Sequence, residues 1–129
     1  MPTQLHFGDK DMHIPMAHVN ELRALWAGAR VKPVNNQVEL HPALAQPALL
    51  AWHAARGVLL TGYCPLGSPG RPPTFRHDAD PDILGDAVVA AVAAKHGRTA
   101  AQVTLRWAIQ RGTVPLPKSV TPTRLEENA

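Results

Sequence analysis

The residues best equipped for chemistry lie near the end of the chain, in VPLPKSVTPTRLEEN, Val114 to Asn128, a short strand that runs into a polar turn and a helix start. Thr121 suits an N-cap and Pro122 the first helical position, so a helix is expected to begin there with free backbone N–H groups exposed. Such an end attracts anions. Lys118 and Ser119 stand just before it, and Arg124 falls in its first turn, where the helix dipole disfavours a cation unless an anion compensates. The planar guanidinium fork can grip a phosphate through two parallel hydrogen bonds. The spacing reads as a phosphate clamp, and its competitor on these residues alone is a capped surface helix with two solvated cations.

Other chemistries find less support. The seven histidines are scattered at positions 6, 13, 18, 41, 53, 77 and 96 without H-x3-H spacing, and one cysteine accompanies them, so no structural zinc site is expected. Cys64, being alone, forms no internal disulfide and fits a reducing compartment. The net charge of +3 comes without a run of Lys and Arg interleaved with aromatics, which argues against nucleic acid as a partner. The run Ala87 to Ala94 is too short to cross a bilayer, and MPTQLHFGDKDMH lacks the apolar core of a signal peptide. A cytoplasmic protein without membrane partners is the expectation. A chain of 129 residues, 45% of them hydrophobic, is globular in composition.

The elements that must position the clamp follow from periodicity. Residues 1–16 carry no period, and Gly8, Asp9, Lys10, Asp11 and Pro15 read as loop. From Ala17, the residues Val19, Leu22, Leu25 and Trp26 recur at helical spacing, and Gly28 can stop the helix. VKPVNNQVEL then alternates, with Val34, Val38 and Leu40 on one face and Asn35, Gln37 and Glu39 on the other, as a strand with a polar face does. After His41-Pro42 a helix is expected from Pro47 through Leu49, Leu50, Trp52 and His53, with Gly57 beyond it. VLLTGYC begins apolar, as for a parallel strand covered on both faces, and ends in the turn PLG. SPGRPPTFRHDAD is a long irregular loop of the kind that serves a site or is mobile. Asp80-Pro81 is expected to open a helix that runs to Lys95. A second follows, with Thr99 and Gln102 as a capping box and Gly112 as its end. Strands alternating with helices give a parallel α/β architecture, in which polar groups at the C-terminal strand ends share one site.

Three of those strand ends, VNNQVELHP, LLTGYCPLGSP and VPLPKSVTPTRLEEN, together with the helix TAAQVTLRWAIQRG, occur in an order that resembles the C-terminal half of the aldo-keto reductases. The resemblance covers residues 17–129 and leaves residues 1–16 outside it. It implies an α/β fold of the (β/α)8 TIM-barrel type, of which this chain would hold about the last three β/α units, parallel strands with covering helices. The cofactor implied is NADP, bound as NADPH, and the chemistry is hydride transfer to an aldehyde or ketone. By the same resemblance Gln37 holds the nicotinamide carboxamide and Tyr63 stacks on its ring. Leu66 and Ser68 lie along the pyrophosphate, with Cys64 standing where the family usually has a serine. Lys118, Ser119, Val120, Thr121 and Arg124 hold the 2′-phosphate, and Glu127 and Asn128 hold the adenine.

Each role has a plainer competitor: Tyr63 as a packed aromatic, and Gln37 and Glu39 as partners of one another. The family's catalytic Asp, Tyr, Lys and His belong to its first half, and no residue here matches them. His6-Phe7-Gly8 is a poor counterpart of the serine-asparagine-phenylalanine turn that precedes the Gln-bearing strand in the family. A barrel takes about 250 residues, so 129 is near half of one, and three strands cannot close. Open edges and apolar faces would then favour self-association. The expectation is the cofactor half of a carbonyl reductase. The alternatives are a non-catalytic nucleotide-binding fragment and a truncated product without function.

Overall fold

The computed structural model describes residues 33–77 and 79–129. The chain divides into two compact units, Met1–Val34 and Asn35–Ala129. The loop expected over residues 1–16 and the helix expected from Ala17 to Gly28 lie outside the described residues.

The second unit runs β1 (Asn35–Glu39), α1 (Pro47–Ala54), β2 (Leu59–Tyr63), a 3-10 turn (Pro73–Phe75), α2 (Ala87–His96), α3 (Ala100–Gln110), β3 (Val114–Pro115) and α4 (Pro122–Asn128). The three strands form one parallel sheet in the order β1-β2-β3. Asn35 pairs with Leu59, Glu39 with Tyr63, and Gly62 with Pro115, so all three strands deliver their C-terminal ends to the same side. Among the described residues the sheet is a three-stranded arc and does not close.

The core lies on one face of that arc. Val38, Leu40 and Leu60 come from β1, its end and β2, and they meet Ala108 of α3, with Leu49, Leu50 and Trp107 packed around them. Gly62 permits this closeness, because a Cβ there would stand 3.2 Å from the Cβ of Leu40. The buried His53 ring ties α1 to the sheet. Its Nε2 faces the Asn36 amide nitrogen at 2.9 Å and must accept, so its Nδ1 donates to the Leu49 carbonyl at 2.8 Å.

The opposite face of the sheet is more open. Leu59 is 46% exposed while Thr61 on the same face is 7% exposed, so β2 is open on that face at its start and covered further along. Val34, expected among the inward residues of β1, is 79% exposed and precedes the strand. Only the Val38 and Leu40 part of that alternation reaches the core, because the pairing of β1 with β2 begins at Asn35 and leaves Val34 beyond it.

Helix ends follow local chemistry. The helix expected from Asp80 begins instead at Ala87. Asp86 accepts hydrogen bonds from the N–H groups of Val88 and Val89, which makes it the stronger start, while Asp82 accepts from Gly85 and holds the preceding turn. Gly97 ends α2 in the left-handed conformation that a non-glycine resists. The Thr99–Gln102 capping box forms in both directions, at 3.2 and 3.1 Å. At α4 the Thr121 side chain makes no cap hydrogen bond. Ser119 Oγ accepts the Thr121 N–H at 3.2 Å, so the residue two places earlier organises that turn.

Candidate functional site

Two clusters of the expected site residues stand at the C-terminal strand ends. Gln37 is the register partner of Thr61, and Tyr63 lies two residues beyond Thr61 on the same strand, so Gln37 and Tyr63 project from the same sheet face. It is the face opposite the core formed with α1 and α3. Gln37 is exposed and Tyr63 half-buried. Gln37 and Glu39 do not satisfy one another, since the Glu39 carboxylate faces His41 and Arg71.

After Tyr63 the chain turns sharply. Cys64 and Ser68 have φ of 49° and 53°, a left-handed backbone that costs a non-glycine residue on the order of 1–3 kcal/mol. Gly67 between them has φ 73° and donates to the Cys64 carbonyl at 3.0 Å. No other residue fits position 67, because a Cβ would fall 2.7 Å from Cγ1 of the buried Ile83. This compact turn holds Cys64, Leu66 and Ser68 half-buried beside the sheet. Strained backbone of this kind concentrates at functional sites.

The strand β3 meets the start of that turn. Pro115 pairs with Gly62, and Leu116 N–H donates to the Gly62 carbonyl at 2.9 Å, so the segment leading to Lys118 leaves the sheet next to Tyr63. Lys118, Val120, Thr121 and Arg124 are exposed and Ser119 is half-buried. Among the described residues neither Lys118 nor Arg124 has an ion-pair partner. Two unpaired cations thus flank the N-terminus of α4, where the dipole alone would favour acidic residues, and its first turn has none.

Glu127 and Asn128 are placed differently. The Glu127 carbonyl accepts from Gln102 Nε2 at 3.0 Å, which fastens the end of α4 to α3. Both residues line an open groove of about 1240 Å³ with α2 and α3 residues such as Val88, Val92 and Trp107, which the other candidate residues do not line.

One further cluster escaped the sequence reading. His41, 5% exposed at the end of β1, brings Nε2 to 3.5 Å from Glu39 Oε1, and the same oxygen lies 3.9 Å from Arg71 Nη2. Arg71 Nη1 meets Asp80 Oδ2 at 3.2 Å. Burial holds the His41 pKa below its ordinary value, with Glu39 acting in the opposite direction and Arg71 adding to the lowering. The only sequence signal was the position of E-L-H-P at a strand end, since Arg71 reaches it from the far side of β2.

The structure so far defines a parallel α/β unit with its polar groups gathered at the strand ends. The sequence profile of the Aldo/keto reductase family matches residues 14–129, and the chain belongs to that family. It is 51% identical over 110 residues to an aldo/keto reductase of Synechocystis sp., covering 85% of this chain and 34% of the relative. It is 50% identical over 100 residues to aldo-keto reductase family 1 member A1 of Xenopus tropicalis, covering 78% and 30%, and 47% identical over 100 residues to the Homo sapiens protein of the same name, with the same coverage. The chain therefore spans about a third of the length of these curated relatives. Among the described residues no helix is long and apolar enough to cross a membrane.

Proposed function

We propose that this chain is the cofactor-binding part of an NADPH-dependent reductase of aldehydes or ketones, its sheet an arc of a TIM-type barrel. The observation that carries the reading is the pair of cations Lys118 and Arg124 at the N-terminus of α4, without ion-pair partners among the described residues, on a segment that leaves the sheet beside Tyr63. A dinucleotide with a 2′-phosphate supplies the anion that this helix end lacks. Lys118, Ser119, Val120, Thr121 and Arg124 hold that phosphate. Cys64, Leu66 and Ser68 follow the pyrophosphate, and Tyr63 and Gln37 take the nicotinamide by stacking and by hydrogen bonds to its carboxamide. Glu127 and Asn128 are the weakest of the set, because the end of α4 is fastened toward α3. The cofactor, once bound, supplies the hydride, while these residues orient it. None of them is assigned as the proton donor to the carbonyl oxygen.

The test is calorimetric titration of the chain with NADPH, NADH and 2′-phospho-AMP. NADPH is expected to bind more tightly than NADH, with 2′-phospho-AMP keeping much of the NADPH affinity, since the clamp is contiguous in sequence. Arg124→Ala removes a charge-assisted bond worth about 1.5–3 kcal/mol, or roughly 10- to 150-fold in affinity. Equal binding of NADH and NADPH, or an unchanged Arg124→Ala variant, would reduce this end of the chain to a capped surface helix.

A further inference from the structure

The loop after β2 is built around its own hydrogen bonds. Arg71 N–H donates to Ser68, Phe75 N–H to Pro72 and Arg76 N–H to Pro73. The Arg76 guanidinium folds back onto the carbonyls of Arg71 and Pro69 at 2.9 and 2.7 Å, and Asp80 accepts both the His77 N–H and Arg71 Nη1. The Arg71 guanidinium carries this folded loop to β1, where its side chain is 16% exposed against Glu39 at 28%. Glu39 is shared, because its Oε1 also faces the His41 ring, whose other nitrogen, Nδ1, is buried without a hydrogen-bond partner.

We propose that Asp80, Arg71, Glu39 and His41 form a proton-sensitive latch that fastens the loop to the end of β1 and releases it when His41 is protonated. The inference does not depend on which cofactor the chain binds. With the loop fastened, a proton on His41 places a second cation against Arg71 across one carboxylate, and the ring sits where water cannot solvate it. With the loop released, Arg71 leaves while Glu39 remains on the same strand, so the imidazolium keeps its counter-ion and loses its repulsion. Protonation therefore favours the released form. Among the described residues the charges that act on His41 are Glu39 from β1 and Arg71 from the loop, with Asp80 behind it; Arg111, at the end of α3, donates from Nη2 to the Ala45 carbonyl just beyond the turn that His41 opens. Burial is the main cause that lowers the His41 pKa, and Arg71 adds to it in the direction this arrangement requires, against the raising effect of Glu39.

The experiment is NMR on the whole chain, reading the His41 ring titration and the exchange protection of the Arg71, Phe75 and Arg76 amides, corrected for intrinsic rates, from about pH 7.5 to about pH 5. Protection is expected to fall about threefold or more, with its midpoint at the His41 titration. His41→Gln should keep the loop protected across the range, and Glu39→Gln should lower protection at neutral pH. The proposal is overturned if the His41 ring titrates while the loop amides stay unchanged, or if the pH dependence survives in His41→Gln and so belongs to another group. Should His41→Gln fail to fold, the coincidence of the two midpoints in the unaltered chain decides the matter alone.

Discussion

Leu40 and Gly62 offer the sharpest test of how the sheet is held together. Leu40 is fully buried against Leu60 and Ala108, so Leu40→Ala loses its whole transfer term and leaves a cavity, at a cost of about 3 to 4 kcal/mol. Gly62→Ala errs the other way. Its new Cβ meets the Leu40 Cβ at 3.2 Å and Cδ2 at 3.6 Å, closer than packed carbons tolerate comfortably, and overpacking of this kind costs about 1 to 3 kcal/mol. The two changes act on one space, so the double variant should be less destabilised than the sum by about 1 kcal/mol or more, the shortened Leu40 side chain letting β1 shift away from the new methyl. Urea unfolding followed by tryptophan fluorescence reads all three variants. With an m-value of about 1 to 3 kcal/mol per molar, Leu40→Ala alone should lower the midpoint by roughly 1 to 4 M. Strict additivity, or a Gly62→Ala variant as stable as the parent, would refute the close approach of β1 to β2 on which the placement of Gln37 and Tyr63 depends.

Two further predictions concern local chemistry and assembly. Thr99→Ala should cost about 1 kcal/mol in thermal unfolding because its hydroxyl caps α3, whereas Thr121→Ala should cost close to nothing because its hydroxyl caps no helix. Sedimentation should show a mass that rises with concentration, since Leu59, Val114, Leu116 and Leu125 expose apolar surface at or near the sheet, and Leu59→Lys should reduce that association; a sharp monomer at all concentrations would count against it.

The order of elements was legible because each leaves a local mark. Period-two alternation at Asn35 to Leu40, the proline that opens α1, the Thr99–Gln102 box and the glycines after α2 and α3 act through neighbours within a turn or two, and the structure realises them. The parallel α/β architecture follows from that order. Asp80 misleads for the same local reason: it is a suitable cap by type, yet Asp86 captures two N–H groups for α2. Thr121 does stand at the N-cap of α4 with Pro122 opening the helix, but the Ser119 hydroxyl, not its own, organises that turn.

What sequence could not determine are relations between residues far apart in the chain. The motifs named Gln37, Tyr63 and the Lys118–Arg124 segment, but their shared side of the sheet exists only through the parallel register of β1, β2 and β3. The need for glycine at position 67 came from Ile83, a residue on the far side of the loop. The linkage of His41 through Glu39 to Arg71 and Asp80 joins the end of one strand to the loop beyond the next, and has no periodicity to betray it. Short-range hydrogen-bond chemistry is written along the chain, whereas burial, register and charge pairing across strands depend on distances that only packing sets.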